Sequence, residues 1–145
     1  MRRKTKLRHM NTPPLPPEIV TIIDAYPMPA RTGILTLRNL IFDVARELPE
    51  VDTVREVIRW GQPAYMPQKP RVGTSLRLGL HRDAHFALFA HCQTTVIASY
   101  AQAFPGWDRL DGNRAILFDD LDQIEPERLQ YLIRCALTYH LKEKP

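Results

Sequence analysis

Two short runs of alternating residues restrict the fold of this chain more than any other feature. Leu76, Leu78 and Leu80 alternate with Arg77, Gly79 and His81; Phe86, Leu88 and Ala90 alternate with Ala87 and Phe89. A period of two puts each apolar set on one face of a strand. Strands this close in sequence form an antiparallel hairpin, and their apolar faces must coincide. A three-residue loop, Arg82-Asp83-Ala84, meets that condition by pairing Leu80 with Phe86 and Leu78 with Leu88. A two-residue loop would instead set Leu80 against His85. The preferred register places His81 opposite His85, with Arg77, Phe89 and His91 on the same face. Cross-strand Cβ atoms about 5 Å apart would let two imidazoles share a metal such as zinc. Histidines beside a hairpin turn are more often solvated polar groups.

The strongest helical signal precedes these strands. Ile34, Leu37, Ile41, Val44 and Leu48 recur at spacings of three and four, Thr32 suits the N-cap, and Pro49 ends the run. Arg38, Asp43, Arg46 and Glu47 are expected on its outer face. Asp43 and Glu47, one turn apart, are read as solvated rather than as a cation site. A shorter helix starts at Pro17 and stops near Tyr26. A strand is expected from about Arg55 into Trp60, then a turn on Gly61 and Pro63, then a loop from Met66 to Val72. Thr94 or Thr95 caps a helix carrying Ile97, Tyr100, Ala101 and Phe104.

A second hairpin follows, with Trp107–Leu110 as one strand, Asp111-Gly112 as the turn and Asn113–Phe118 as the return. Arg114 falls on one face of that strand with Ile116 and Phe118. It is read either as a structural ion-pair partner or as a bidentate group for carboxylate or phosphate. Asp119, Asp120, Asp122, Glu125 and Glu127 form the densest acidic cluster. Oxygen ligands of this kind suit iron or magnesium. They equally suit the start of a helix at Pro126, where carboxylates favour the positive end. That helix would bury Leu129, Ile133, Ala136 and His140.

The net charge of +4 comes from one end of the chain. Arg2, Arg3, Lys4, Lys6 and Arg8 have no acid among them; without these five, 15 basic residues face 16 acidic ones, a net of −1. Residues 1–16 are therefore read as a flexible basic and proline-rich tail, and 17–145 as one α+β domain. The basic tail by itself is a weak reason to expect nucleic acid. No apolar run reaches the ~18 residues of a membrane span. The basic N-terminus has no apolar stretch behind it, unlike a secretory signal. Cys92 and Cys135 show no paired spacing. A reducing cytoplasm is the expected compartment.

Three segments carry a family resemblance: Trp60-Gly61-Gln62-Pro63-Ala64-Tyr65, Asp111-Gly112-Asn113-Arg114-Ala115-Ile116 and Ala136-Leu137-Thr138-Tyr139-His140. With the Leu/Arg-rich helix ahead of them, they resemble the YdhG-like family of small bacterial domains, over roughly residues 32 to 141. The resemblance implies a single domain with a curved antiparallel sheet of about five strands, helices packed against it, and a cavity near the first turn. It also implies a link to frataxin-like iron chaperones.

Two functional readings follow. In the first, a small ligand binds in a cavity lined by Trp60, Gln62 and Tyr65, with Arg114 recognising an anion. The alternative is an iron or metal carrier that uses His81 and His85, or Asp119, Asp120 and Asp122. Neither a nucleophile motif nor a phosphate-cradling glycine loop is present, so the reading leans away from an enzyme.

Overall fold

The structure, a computed structural model, describes residues 12–142; the basic segment over residues 1–10 lies outside them. Strands β1 (Val54–Arg59), β2 (Gln62–Pro67), β3 (Leu76–His81), β4 (Ala84–Ala90), β5 (Arg109–Asp111) and β6 (Ala115–Phe118) form one antiparallel sheet, in the order β1-β2-β3-β4-β6-β5. The helices are α1 (Pro17–Asp24), α2 (Ala30–Arg46), α3 (Val96–Ala103), α4 (Pro126–Leu137) and the short α5 (Tyr139–Lys142). This is the expected α+β domain, with six strands rather than about five. None of the described helices is long and apolar enough to cross a membrane.

Alternation along the strands decides the packing. Tyr65, Leu76, Leu78, Phe86, Leu88, Ile116 and Phe118 point to one side, are fully buried, and meet Ile34, Leu37 and Ile41 of α2 and Leu132 and Ile133 of α4 in one core. Helix α2 lies on β3 and β4 with α4 beside it, and α3 packs on α4. Close approach of α2 depends on Gly33, where an added Cβ would sit 2.3 Å from the Phe86 ring. The C-terminal carbonyls of α4 find donors outside the helix: the amide of Thr74 donates to Ala136 O at 2.8 Å.

Four expectations are corrected. The additional strand is β2, which takes up Pro63 and Pro67 and so replaces both the Pro63 turn and the start of the Met66–Val72 loop. Proline has no N–H to give, and β2 pairs with β3 only through Ala64 and Tyr65, between the two prolines. In the β3–β4 hairpin, Leu78 does face Leu88, but the register shifts after Gly79 and His81 meets Ala84 instead of His85. One residue of β3, Leu80, then faces two of β4, His85 and Phe86. This bulge keeps Phe86 in the core, closes a two-residue turn at Arg82-Asp83, and leaves Leu80 40% exposed.

On α2, Arg38 and Asp43 are buried rather than outward. Arg38 lies one turn from Ile34 and from Phe42, so it shares their stripe, and α2 is covered over most of its circumference. His140, expected on the apolar face of the last helix, is exposed because α4 stops at Leu137.

Arg38 is held by a network that joins four segments. Its Nε and Nη2 donate to the two Glu56 carboxylate oxygens at 2.6 and 2.9 Å, and Nη2 donates to the Pro13 carbonyl at 2.9 Å. Tyr65 Oη donates to Glu56 Oε2 at 2.7 Å. Burial and the adjacent carboxylate push the Tyr65 hydroxyl above its ordinary range, so it keeps its proton and acts as a donor. The proline-rich lead is thereby tied to the sheet, with Leu15 packed on the core. Replacing Arg38 with Met strands a buried carboxylate and should lower the unfolding free energy by about 3–5 kcal/mol. Tyr65→Phe, which removes one hydrogen bond, should cost about 1–2 kcal/mol. Urea denaturation measures both; equal small losses would show that the network bears little of the stability.

Candidate ligand-binding groove

The face of the sheet turned away from the helices carries small side chains at its centre. Ala87, Ala115 and Leu117 form a separate small cluster there, with Phe89 packed beside it. Beside this cluster, with Phe89 common to both, lies a groove of about 550 Å³, within the range of small-molecule sites. Its walls come from the β1–β2 turn (Arg59, Trp60), from β3 and β4 (Arg77, Phe89) and from the β5–β6 turn (Asp111, Arg114).

The turn at Trp60 is tight. Arg59 pairs with Gln62, and both intervening residues have positive φ, 56° at Trp60 and 73° at Gly61. Such turns suit glycine and asparagine. A tryptophan in this conformation costs about 1–2 kcal/mol. Its indole is 88% exposed.

Arg77 lies opposite Phe89 in the register, and its guanidinium stacks 5.1 Å from that ring. Its hydrogen-bond partner is the neutral Gln62 Oε1, at 2.5 Å. Gln62 reaches this position across Gly79, where an added Cβ would lie 2.2 Å from its amide nitrogen. Burial lowers the Arg77 pKa, and no carboxylate pairs with Arg77 among the described residues. Arg114 is exposed in the β5–β6 turn, and its guanidinium makes no hydrogen bond among the described residues. Arg59, Arg77 and Arg114 thus meet one carboxylate, Asp111, which already accepts a hydrogen bond from His81 Nε2 at 3.0 Å. The arrangement can neutralise an anion.

Of the four residues expected at a cavity, Trp60 and Arg114 line this groove, and Gln62 lies behind it as the support of Arg77. Tyr65 does not belong to it. Three residues beyond Gln62, it has the opposite strand parity and sits fully buried on the helical side. Arg77 and Phe89 are among the additions, with Arg59, His91, Cys92 and Asp111. The cross-strand pairing of Arg77 with Phe89 follows from the Leu78–Leu88 register, so alternation was the signal that could have found these two.

The residues expected to hold a metal are separated. The Asp83 amide donates to His81 Nδ1, so Nε2 carries the proton given to Asp111. His85 Nδ1 donates to the Asp119 carbonyl at 2.8 Å. The Asp119 carboxylate accepts from Arg109 Nη1 at 2.5 Å. Gln123 Oε1 accepts the amides of Asp119 and Asp120, which closes the turn that holds Asp122. Among the described residues, no three His, Cys, Asp or Glu side chains are grouped to hold an ion.

The hydrogen bond from His81, helped by the nearby Arg114 and Arg82, holds the Asp111 carboxyl below its usual range. A carboxyl depressed in the folded state stabilises the fold above its unfolded value and stops doing so as pH falls through the folded one. Asp111→Asn should therefore lower stability near neutrality and flatten the stability–pH curve below about pH 4, so that the variant and the parent converge in acid, as read by thermal melts across pH. Comparison with family models, with curated proteins and with solved structures finds no match, so the ligand has to be argued from the groove's own chemistry.

Proposed function

We propose that this domain binds a small anionic molecule in the groove between the Trp60 turn and Arg114. The observation that carries the reading is Arg77, a part-buried guanidinium that lacks a carboxylate and rests on an aromatic ring and a neutral amide. A charge withdrawn from water without a counter-ion is costly, and a bound carboxylate or phosphate would supply the missing partner. Arg114, exposed and with a guanidinium that makes no hydrogen bond among the described residues, would complete a two-point grip. Gln62 positions Arg77, and Trp60 forms the opposite wall.

The test is a thermal-shift titration of the protein with phosphate, citrate and larger carboxylates. An anion present at about 100 times its Kd should stabilise the fold by about 2.7 kcal/mol. Arg114→Leu, at an exposed turn, should abolish that gain and leave the unliganded melting temperature within the range of ordinary surface substitutions, about ±0.5 kcal/mol. A variant that melts early without ligand would make Arg114 structural and end this reading of it.

A further inference from the structure

We infer that the anion held in this groove also carries a planar aromatic ring, such as a nucleobase or the ring of an aromatic carboxylate, and that Trp60 stacks on it. The inference rests on the anion-binding reading and extends it from the charged end of the ligand to the rest.

Three observations lead to Trp60. The first is contrast among the aromatics. Phe89 is occupied, with Arg77 5.1 Å from its ring and His81 stacked at 6.1 Å. Trp107, the other exposed tryptophan, has the Arg128 guanidinium 4.7 Å above its ring. Trp60 has neither a ring nor a guanidinium over its face among the described residues, yet it borders the groove.

The second is backbone strain. The turn holds a non-glycine residue at φ 56° where asparagine would satisfy the geometry better; Asp52 and Arg71 also have positive φ, but of the three only Trp60 borders the groove. The third is the reach of the positive charge. The adjoining hollow shares Asp111 and is lined by His81 and Arg109, but its charges are matched: His81 bonds Asp111, and Arg109 bonds Asp119 and the Asp83 carbonyl. The one arginine of that hollow is therefore paired, unlike Arg77 and Arg114 of the first groove. A compact ligand with one anionic end fits that pattern; a phosphate-bearing strand running across the sheet does not.

The experiment is calorimetric titration of the full chain with adenosine monophosphate, 1-naphthoate and inorganic phosphate, repeated on Trp60→Asn. At least one ringed anion should bind about tenfold or more tightly than phosphate, the scale on which one aromatic stack acts. Whether the nucleotide or the naphthoate binds better separates a phosphate from a carboxylate as the anionic end. Trp60→Asn should erase the preference, bringing the ringed anions to the affinity of phosphate. Because asparagine suits the turn, the variant should also melt no lower than the parent, which a merely structural tryptophan would not allow. Equal affinity for phosphate and both ringed anions, or a preference that survives Trp60→Asn, overturns the inference and leaves the anion-binding reading standing. A single strand of about ten nucleotides binding much more tightly than the mononucleotide overturns it in favour of a polymer. Absence of binding by all of these anions overturns both.

Discussion

Besides its pairing with β3 and the core contacts of Val54 and Tyr65, the β1–β2 hairpin is held to the domain by a buried ion pair, and the groove depends on where that hairpin lies. Arg38 and Glu56 meet through two hydrogen bonds in the core, and Tyr65 supplies a third donor to the same carboxylate. A carboxylate and a guanidinium so withdrawn from water are tolerable only with this degree of hydrogen bonding. The geometry therefore has little freedom. Helix α2, β1, β2 and the proline-rich lead are drawn to one point.

The opposite side of the same hairpin builds the groove. Glu56 and Tyr65 face the helices; Gln62 faces away and sets Arg77 on Phe89. One two-residue turn then brings Trp60 to the edge of the site. Strand alternation thus lets a single hairpin present an ionic lock to the core and a groove wall to solvent. Gly79 is the point where the two demands meet, since only a residue without a Cβ lets Gln62 lie across β3.

Much of this was legible. The periodicity of α2, the Pro17 start of α1, a hairpin around Gly112 and the pairing of Leu78 with Leu88 follow from local rules, because each depends on residues a few positions apart. The turn of that hairpin runs over Gly112-Asn113-Arg114, since Asp111 pairs with Ala115, so Arg114 leaves the strand face it was expected to share with Ile116 and Phe118. What failed did so for identifiable reasons. Arg38 looked outward because its partner, Glu56, is 18 residues away, and a charge with no visible counter-ion is by default placed in water. Strand β2 looked like a loop because two prolines mark its ends. His81 and His85 looked like a pair because alternation is uniform on paper, whereas a bulge between Gly79 and His81 displaced them by one residue.

The sequence by itself determined the class of the domain, the presence of two hairpins, and an aromatic turn and an arginine in the second hairpin as residues to be located. Hydrophobic period and turn chemistry are enough for that, since both act over a few residues. Tertiary structure alone decided that Trp60 and Arg114, 54 positions apart in the numbering, border one groove, and that Tyr65, five positions from Trp60, does not. It also decided that Arg77 stands at the centre. Which charges find partners depends on strand order and on the shifts in register, and neither is encoded in any single segment of the chain.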